Sequence, residues 1–306
     1  MYFYATLEQA AVLLFPIIIG YIIKQRRMVD ETFANNIGSI IFSVILPCLI
    51  IKSMRYEFTV QTLINTGILL LISTVTLTVL WVIGYFAGKI MDKNFDIRTV
   101  IEFSVTCSNF TFMALPIIEI LFGNDGVFYA SVHNISYFIF SNSISIFLLN
   151  RDRLKTRIVP LLFNPPTVAI IAGFAIFAFS IPLPGVINKT VDMLAVCATP
   201  LSMLMAGTVL HGVKMKKMFT DWKIYIISAI RLIAAPCLAY YALSMLGFSG
   251  FALKIPVIVM AMPVAVQIVV LTKKYDRASM FASQVVAMST LLSIITIPLI
   301  VTLLNL

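Results

Sequence analysis

The stretch TCSNFTFMALPIIE, residues 106–119, gathers Thr106, Cys107, Ser108 and Asn109 ahead of Pro116 and follows the proline with Glu119. The residues around it are oily. Proline inside a helix removes one backbone hydrogen bond and crowds the turn before it. In hydrocarbon a carbonyl freed in this way is costly unless protein or trapped water satisfies it. What these polar residues are for therefore depends on whether the run lies in a membrane.

Composition answers that question. The chain has 306 residues, of which 60% are hydrophobic and only 11% charged, and its mean hydropathy is +1.02. A soluble domain carries about a quarter charged residues. Residues 58–88 and 278–306 hold no charge at all, and each exceeds the roughly 20 residues that a helix needs to cross hydrocarbon. Uncharged runs between charged loops predict ten helices with cores at 4–23, 34–52, 62–88, 99–122, 127–149, 160–181, 190–212, 223–246, 251–272 and 279–304. The expected fold class is an all-α polytopic membrane protein with no room for a soluble domain. Cys48, Cys107, Cys197 and Cys237 all sit inside apolar runs without metal-ligand spacing, so they read as small packing residues. No cleavable signal is expected, because the first apolar run lacks a basic leader and is followed by KQRR.

The net charge of +9 is a topology signal. One set of loops carries Lys24, Arg26 and Arg27, then Lys89, Lys93 and Arg98, then Arg151, Arg153, Lys155 and Arg157, then Lys214, Lys216, Lys217 and Lys223, then Lys273, Lys274 and Arg277. The opposite set carries Lys52, Arg55, Lys189 and Lys254. The positive-inside rule puts the basic set in the cytoplasm and both termini outside. Acidic lipid headgroups are partner enough for these charges; nucleic acid is not needed.

The chain also resembles itself. Pro16 matches Pro166, Pro47 matches Pro200, Pro116 matches Pro263, and the YAS at Tyr129 matches the FAS at Phe281, with offsets of 150, 153, 147 and 152 residues. The units are residues 1–150 and 158–306, joined by a cytoplasmic linker at 151–157. Each unit holds five spans, so the second enters the membrane inverted, a common plan among secondary transporters. Pro116 and Pro263 then each open a half-helix, and two broken, crossing helices, spans 4 and 9, meet near the midplane. Half-helix N-termini suit an anion, and exposed carbonyls suit a proton donor or small cation.

Ser108, Asn109 and Thr111 precede the first proline and can complete the backbone's hydrogen bonds, bind a solute, or both. Gln267 lies one turn past Pro263 and offers donor and acceptor. Ionisable groups inside a membrane are functional candidates by default. Glu119 either interacts with its own helix terminus or couples transport to a proton or ion. His133 is a proton relay or a satisfied structural histidine, and its neighbour Asn134 adds to a polar stripe. Arg231 either pairs with a residue such as Asp192 or snorkels to the interface. Glu102 and Asp192 lie near span ends, where water is expected.

The segment CSNFTFMALPIIEILFGNDGVFYASVHNISYFIFSN, residues 107–142, resembles the auxin efflux carrier family, which includes bacterial malate and malonate permeases. The matching positions are Asn109, Leu115, Pro116 and Gly123. ATPLSMLMAGTVL at 198–210, RLIAAP at 231–236, AMPVAVQIVVLTKKYD at 261–276 and STLLSIITIPLI at 289–300 resemble the family's seventh to tenth spans. Gln267 stands where family members commonly have Asn. The resemblance implies a fold like that of bile acid/sodium symporters and sodium–proton antiporters. Spans 1, 2, 6 and 7 would form a scaffold, and spans 3–5 and 8–10 a moving transport domain. It also implies a homodimer through the scaffold and a small organic anion as solute, either a dicarboxylate or an auxin-like acid. The short linker fits a compact member in a bacterial cytoplasmic membrane.

The first functional reading is a secondary transporter working by alternating access, with Asn109, Asn134 and Gln267 binding solute or ion, no resident cofactor or metal, and coupling to protons ahead of sodium. The alternatives are a sodium-coupled carrier of another solute class, or a channel or sensor on the same scaffold. An enzyme is not expected: the chain has no HExxH, no GxSxG and no paired aspartates within spans.

Overall fold

The computed structural model describes residues 15–55, 59–149, 164–210, 219–274 and 277–304; the linker expected at 151–157 and the side chain of Thr111 lie outside the described residues. The described residues are helical almost throughout, and among them the only strand-like pairing is an isolated antiparallel bridge between Ser108 and Val264. The helices run in order as α1 (Phe15–Gln25), α2 (Glu31–Ile40), α3 (Leu46–Met54), α4 (Val60–Met91), α5 (Phe95–Thr106), α6 (Leu115–Leu149), α7 (Pro165–Ala178), α8 (Gly185–Val196), α9 (Ala198–Leu210), α10 (Trp222–Ala229), α11 (Ala235–Met245), α12 (Gly250–Ala261), α13 (Gln267–Lys274) and α14 (Ser279–Leu303).

Six stretches are long and apolar enough to cross a membrane: Asn36–Met54, Val60–Met91, Phe112–Ser141, Gly185–Thr208, Trp222–Met245 and Ser279–Leu303. Length and composition thus single out six of the ten expected spans among the described residues, and α1, α7 and α12 are shorter apolar helices. Helix starts follow local chemistry. Asp30, Thr59, Asn94, Asn164 and Asp221 each accept a hydrogen bond from a backbone N–H of the first turn that follows, which satisfies one of the donors a helix N-terminus leaves free. Within α6, Gly123 turns the chain with φ 62° and ψ −153°. That left-handed backbone favours glycine, and it falls at the boundary expected between the fourth and fifth spans.

Packing relies on glycine at two places. A Cβ on Gly84 would lie 2.9 Å from the Glu102 carbonyl, and one on Gly88 would lie 2.9 Å from the Arg98 carbonyl, so α4 and α5 meet backbone to backbone. Cβ atoms on Gly20 and Gly207 would run into the carbonyls of Leu204 and Ile17, which seats α1 on α9 in the same way. Small residues at close helix crossings are the usual device where lipid removes the hydrophobic drive between helices. The opposite face of α4 is open, with Leu71, Val75, Val79 and Phe86 exposed as lipid requires.

The prolines behave differently from the sequence expectation. Pro116 does not open a half-helix. It sits at the second position of α6, directly after a π turn, Phe110–Ala114. Pro47 follows the π turn Ile41–Ile45, and Pro236 follows Ile230–Ala234, in the same way. In all three, the residue before the proline donates its N–H to the carbonyl five residues back. Widening the turn by one residue accommodates the ring and the missing donor, so the helix bends without breaking.

The real interruptions lie at residues 107–109, after α5, and at residues 262–266, between α12 and α13. Both lie in deeply buried stretches: every residue in 99–110 and in 255–265 is buried. Around them, α4, α5 and α6 pack together, α10 to α14 pack together, and α12 contacts α4 and α6. α3 lies against α7 and α8, and α2 against α9. At the ends of the bundle, Lys223 pairs with Asp92, Arg277 lies 3.7 Å from Asp96, and Arg55 pairs with Asp192.

Candidate functional site

The two interruptions cross each other. The Asn109 N–H donates to the Pro263 carbonyl at 2.7 Å, and the Ala265 N–H donates to the Cys107 carbonyl at 3.1 Å. This places Ser108 opposite Val264. The backbone groups that each broken helix frees are taken up one by one, as burial demands. The Ser108 carbonyl accepts from the Tyr137 hydroxyl at 2.7 Å and from the Phe110 N–H at 2.8 Å. The Val264 N–H donates to Ser289 Oγ at 3.2 Å. Arg231 donates to carbonyls at the ends of both α5 and α12.

Beside the crossing, the Phe110 ring stacks on His133, with centroids 6.0 Å apart, and on Tyr137, 5.4 Å apart. His133 and Tyr137 stand one helical turn apart on α6, so that one face of α6 reads against the first interruption. His133 Nδ1 lies 2.7 Å from Ser73 Oγ on α4, and that hydroxyl also donates to the Leu69 carbonyl at 2.7 Å. With its one hydrogen given to Leu69, Ser73 accepts from Nδ1–H, and neutral His133 then presents a lone pair at Nε2; protonated, it presents a donor there. Nε2 has no partner, and neither have Ser108 Oγ and Asn134 Oδ1, all three fully buried. Buried polar atoms nearly always have partners. Ser108 is on the crossing and His133 stands beside it against the Phe110 ring, so these two orphan atoms are open to a small polar solute. Among the described residues no group of His, Cys, Asp and Glu could hold a metal ion.

The membrane transport protein family matches this chain over residues 5–160 and again over residues 149–301. The chain belongs to the auxin efflux carrier family. A relative from Methanothermobacter thermautotrophicus (strain Delta H), described as an uncharacterized transporter, is 23% identical over 304 residues, which cover 98% of each chain. Together with the apolar spans, the family makes the chain an integral membrane protein and a membrane transporter.

In this auxin efflux carrier family member, Ser108, Asn109 and Pro263 meet at the crossing, with His133 and Asn134 on the helix alongside. Pro116 lies within the bend after the π turn, beyond the crossing. Gln267 is the first residue of α13, not one turn into it, and it is exposed, so the structure does not gather it with Ser108. Glu119 stands elsewhere: its carboxylate lies 3.6 Å from Lys52 Nζ on α3 and accepts from Thr199 on α9 at 3.2 Å. The expected partner of Arg231 is corrected. Asp192 pairs with Arg55 instead, and Arg231 neither meets a described carboxylate nor snorkels, being 1% exposed. Glu102 is not at the water either; it is 7% exposed and accepts from Trp81 Nε1 at 2.6 Å. Sequence reasoning missed Tyr137, Ser73 and Ser289. The signal available was Tyr137 four residues after His133, on the same helical face. The carbonyls freed by a break also require donors from some other helix, and Arg231 was the one strong donor buried in a span.

Proposed function

We propose that the protein is a secondary active transporter of a small organic anion, a dicarboxylate such as malate or malonate or an auxin-like acid, across the cytoplasmic membrane. The observation that supports this reading is the crossing of two interrupted segments, with the buried, unpartnered Ser108 Oγ on it and the unpartnered His133 Nε2 and Asn134 Oδ1 on the neighbouring helix α6. A solute carboxylate accepts from the Ser108 hydroxyl and from protonated His133, while the Asn134 amide oxygen accepts from a hydroxyl or N–H of the solute. Because neutral His133 offers Nε2 a lone pair, an anion binds there only with a proton, which favours proton coupling over sodium. Ten spans in a 5+5 inverted repeat, with termini outside, accommodate the short helices α1, α5, α7, α12 and α13. α3 with α7 and α8, and α2 with α9, would belong to a scaffold through which two copies pair. The two interruptions would travel with α4–α6 and α10–α14 in an elevator-like step.

Uptake of radiolabelled malate, malonate and indole acids into proteoliposomes tests this. Saturable uptake of one of them is expected. It should fall by about tenfold or more in Ser108→Ala, the scale of one lost hydrogen bond to a charged group, and it should collapse with a protonophore when sodium is absent. Absence of saturable uptake for the whole panel would overturn the organic-anion reading, and a strict sodium requirement would overturn the coupling.

A further inference from the structure

Arg231 lies in the π turn Ile230–Ala234 and is fully buried, 1% exposed. Its guanidinium does not face a described carboxylate. Nε lies 3.2 Å from the Met262 carbonyl, Nη1 lies 3.0 Å from Val105 O and 3.4 Å from Thr106 O, and Nη2 lies 3.1 Å from Val259 O. Val105 and Thr106 end α5, Val259 lies in the last turn of α12, and Met262 follows it. Carbonyls in a last helical turn lack the usual N–H partner four residues on and carry the negative end of the helix dipole; Val259 O has only the Met262 N–H, at 3.3 Å. The crossing points two such ends at one place.

Several hard oxygen donors from two helix ends, with no carboxylate among them, are the chemistry of a monovalent cation site. We infer that the convergence of the α5 and α12 ends is a monovalent-cation site whose occupant is tethered: the Arg231 guanidinium fills it permanently, and the crossing takes up no sodium ion from solution. This goes beyond the transport reading and does not depend on which solute is carried. Its consequence is that the α5 and α12 ends keep the same positive charge in every state of the protein, and no sodium ion joins them.

The test is a melting measurement on the purified full chain, which needs no solute. Failure of the transport reading leaves it standing, and its own failure leaves the transport reading standing. Arg231→Ala and wild type are scanned in choline chloride, with millimolar guanidinium, methylguanidinium or sodium added. The variant should melt several degrees below wild type, and guanidinium should recover most of that shift by mass action, because its planar donors match the carbonyls Arg231 leaves. Wild type should be indifferent to guanidinium at these concentrations and to sodium exchanged for choline. A folded variant that no cation stabilises would overturn the inference, as would a wild type that sodium stabilises saturably. If Arg231→Ala yields no folded protein, Arg231→Gln, which keeps an amide donor and loses the charge, is read for the same cation response.

Discussion

The two interruptions that cross in this protein are broken by different causes. α12 stops beside a proline: Met262 precedes Pro263 and takes an extended backbone, with φ −74° and ψ 150°, the conformation a following proline ring favours, although the same helix passes Pro256 without stopping. α5 has no such neighbour. It stops at Cys107, also extended, with the nearest proline nine residues further on at Pro116. What holds it open is distant in sequence: Arg231 on the Val105 and Thr106 carbonyls, Tyr137 on the Ser108 carbonyl, and Pro263 accepting from Asn109. One side of the crossing is thus specified by its own residues, and the other by contacts that exist only in the folded molecule.

The largest effect should come from Arg231→Met, which keeps bulk and removes every donor. Each carbonyl left unpaired costs about 1–3 kcal/mol, so a loss on the order of 4 kcal/mol is expected. Amide exchange should accelerate most in residues 103–110 and less in 258–265; equal acceleration would break the contrast. Tyr137→Phe removes one donor from the Ser108 carbonyl, which keeps the Phe110 N–H. It should cost about 1 kcal/mol, with faster exchange confined to the first interruption. Pro263→Ala should cost about 0.4–1 kcal/mol through the unfolded chain. Combined with Tyr137→Phe it should cost more than the two separately, since Met262 would then be held extended only by the pairing across the crossing. Strict additivity would show two independent breaks.

The smallest effect serves as a control. Asp92 lies just past the end of α4, and the hydrogen bond from Lys223 holds its carboxyl below the ordinary carboxylate range. A lowered folded pKa adds stability above the unfolded value, about 3.9, and that stability is lost as pH falls through the folded value. The melting temperature of wild type should therefore exceed that of Asp92→Asn by an amount that is flat from about pH 7 to 5 and shrinks below about pH 4. A pair at the membrane edge contributes at most about 1 kcal/mol, and exchange at both interruptions should be unchanged.

The same asymmetry explains how much could be read from the sequence. Membrane class followed from uncharged runs such as 58–88, which no soluble core needs. The crossing was legible at Pro263, where cause and effect are adjacent. The first break was anticipated from Ser108 and Asn109 but placed at Pro116, because a proline in an apolar run reads as a break when nothing shows that a π turn can absorb it. Gln267 was picked out by its spacing from Pro263, and Glu119 as an ionisable group within a span; which neighbour an exposed amide or a half-buried carboxylate meets is decided by helices far away in the chain, here α3 and α9 for Glu119. Arg231 could be flagged as unusual, but its partners are carbonyls, which every residue has and no pattern marks.

The three π turns carry a mechanical consequence. A surplus residue in a helix can wander, because neighbouring bonds swap between the fourth and the fifth carbonyl, and the bend wanders with it. Pro47, Pro116 and Pro236 each sit one step past the wide bond and have no hydrogen to swap. The bulge is pinned at that point. Each π turn is therefore locked in register against its own helix, a stop that a proline sets and a residue with its own backbone N–H would not.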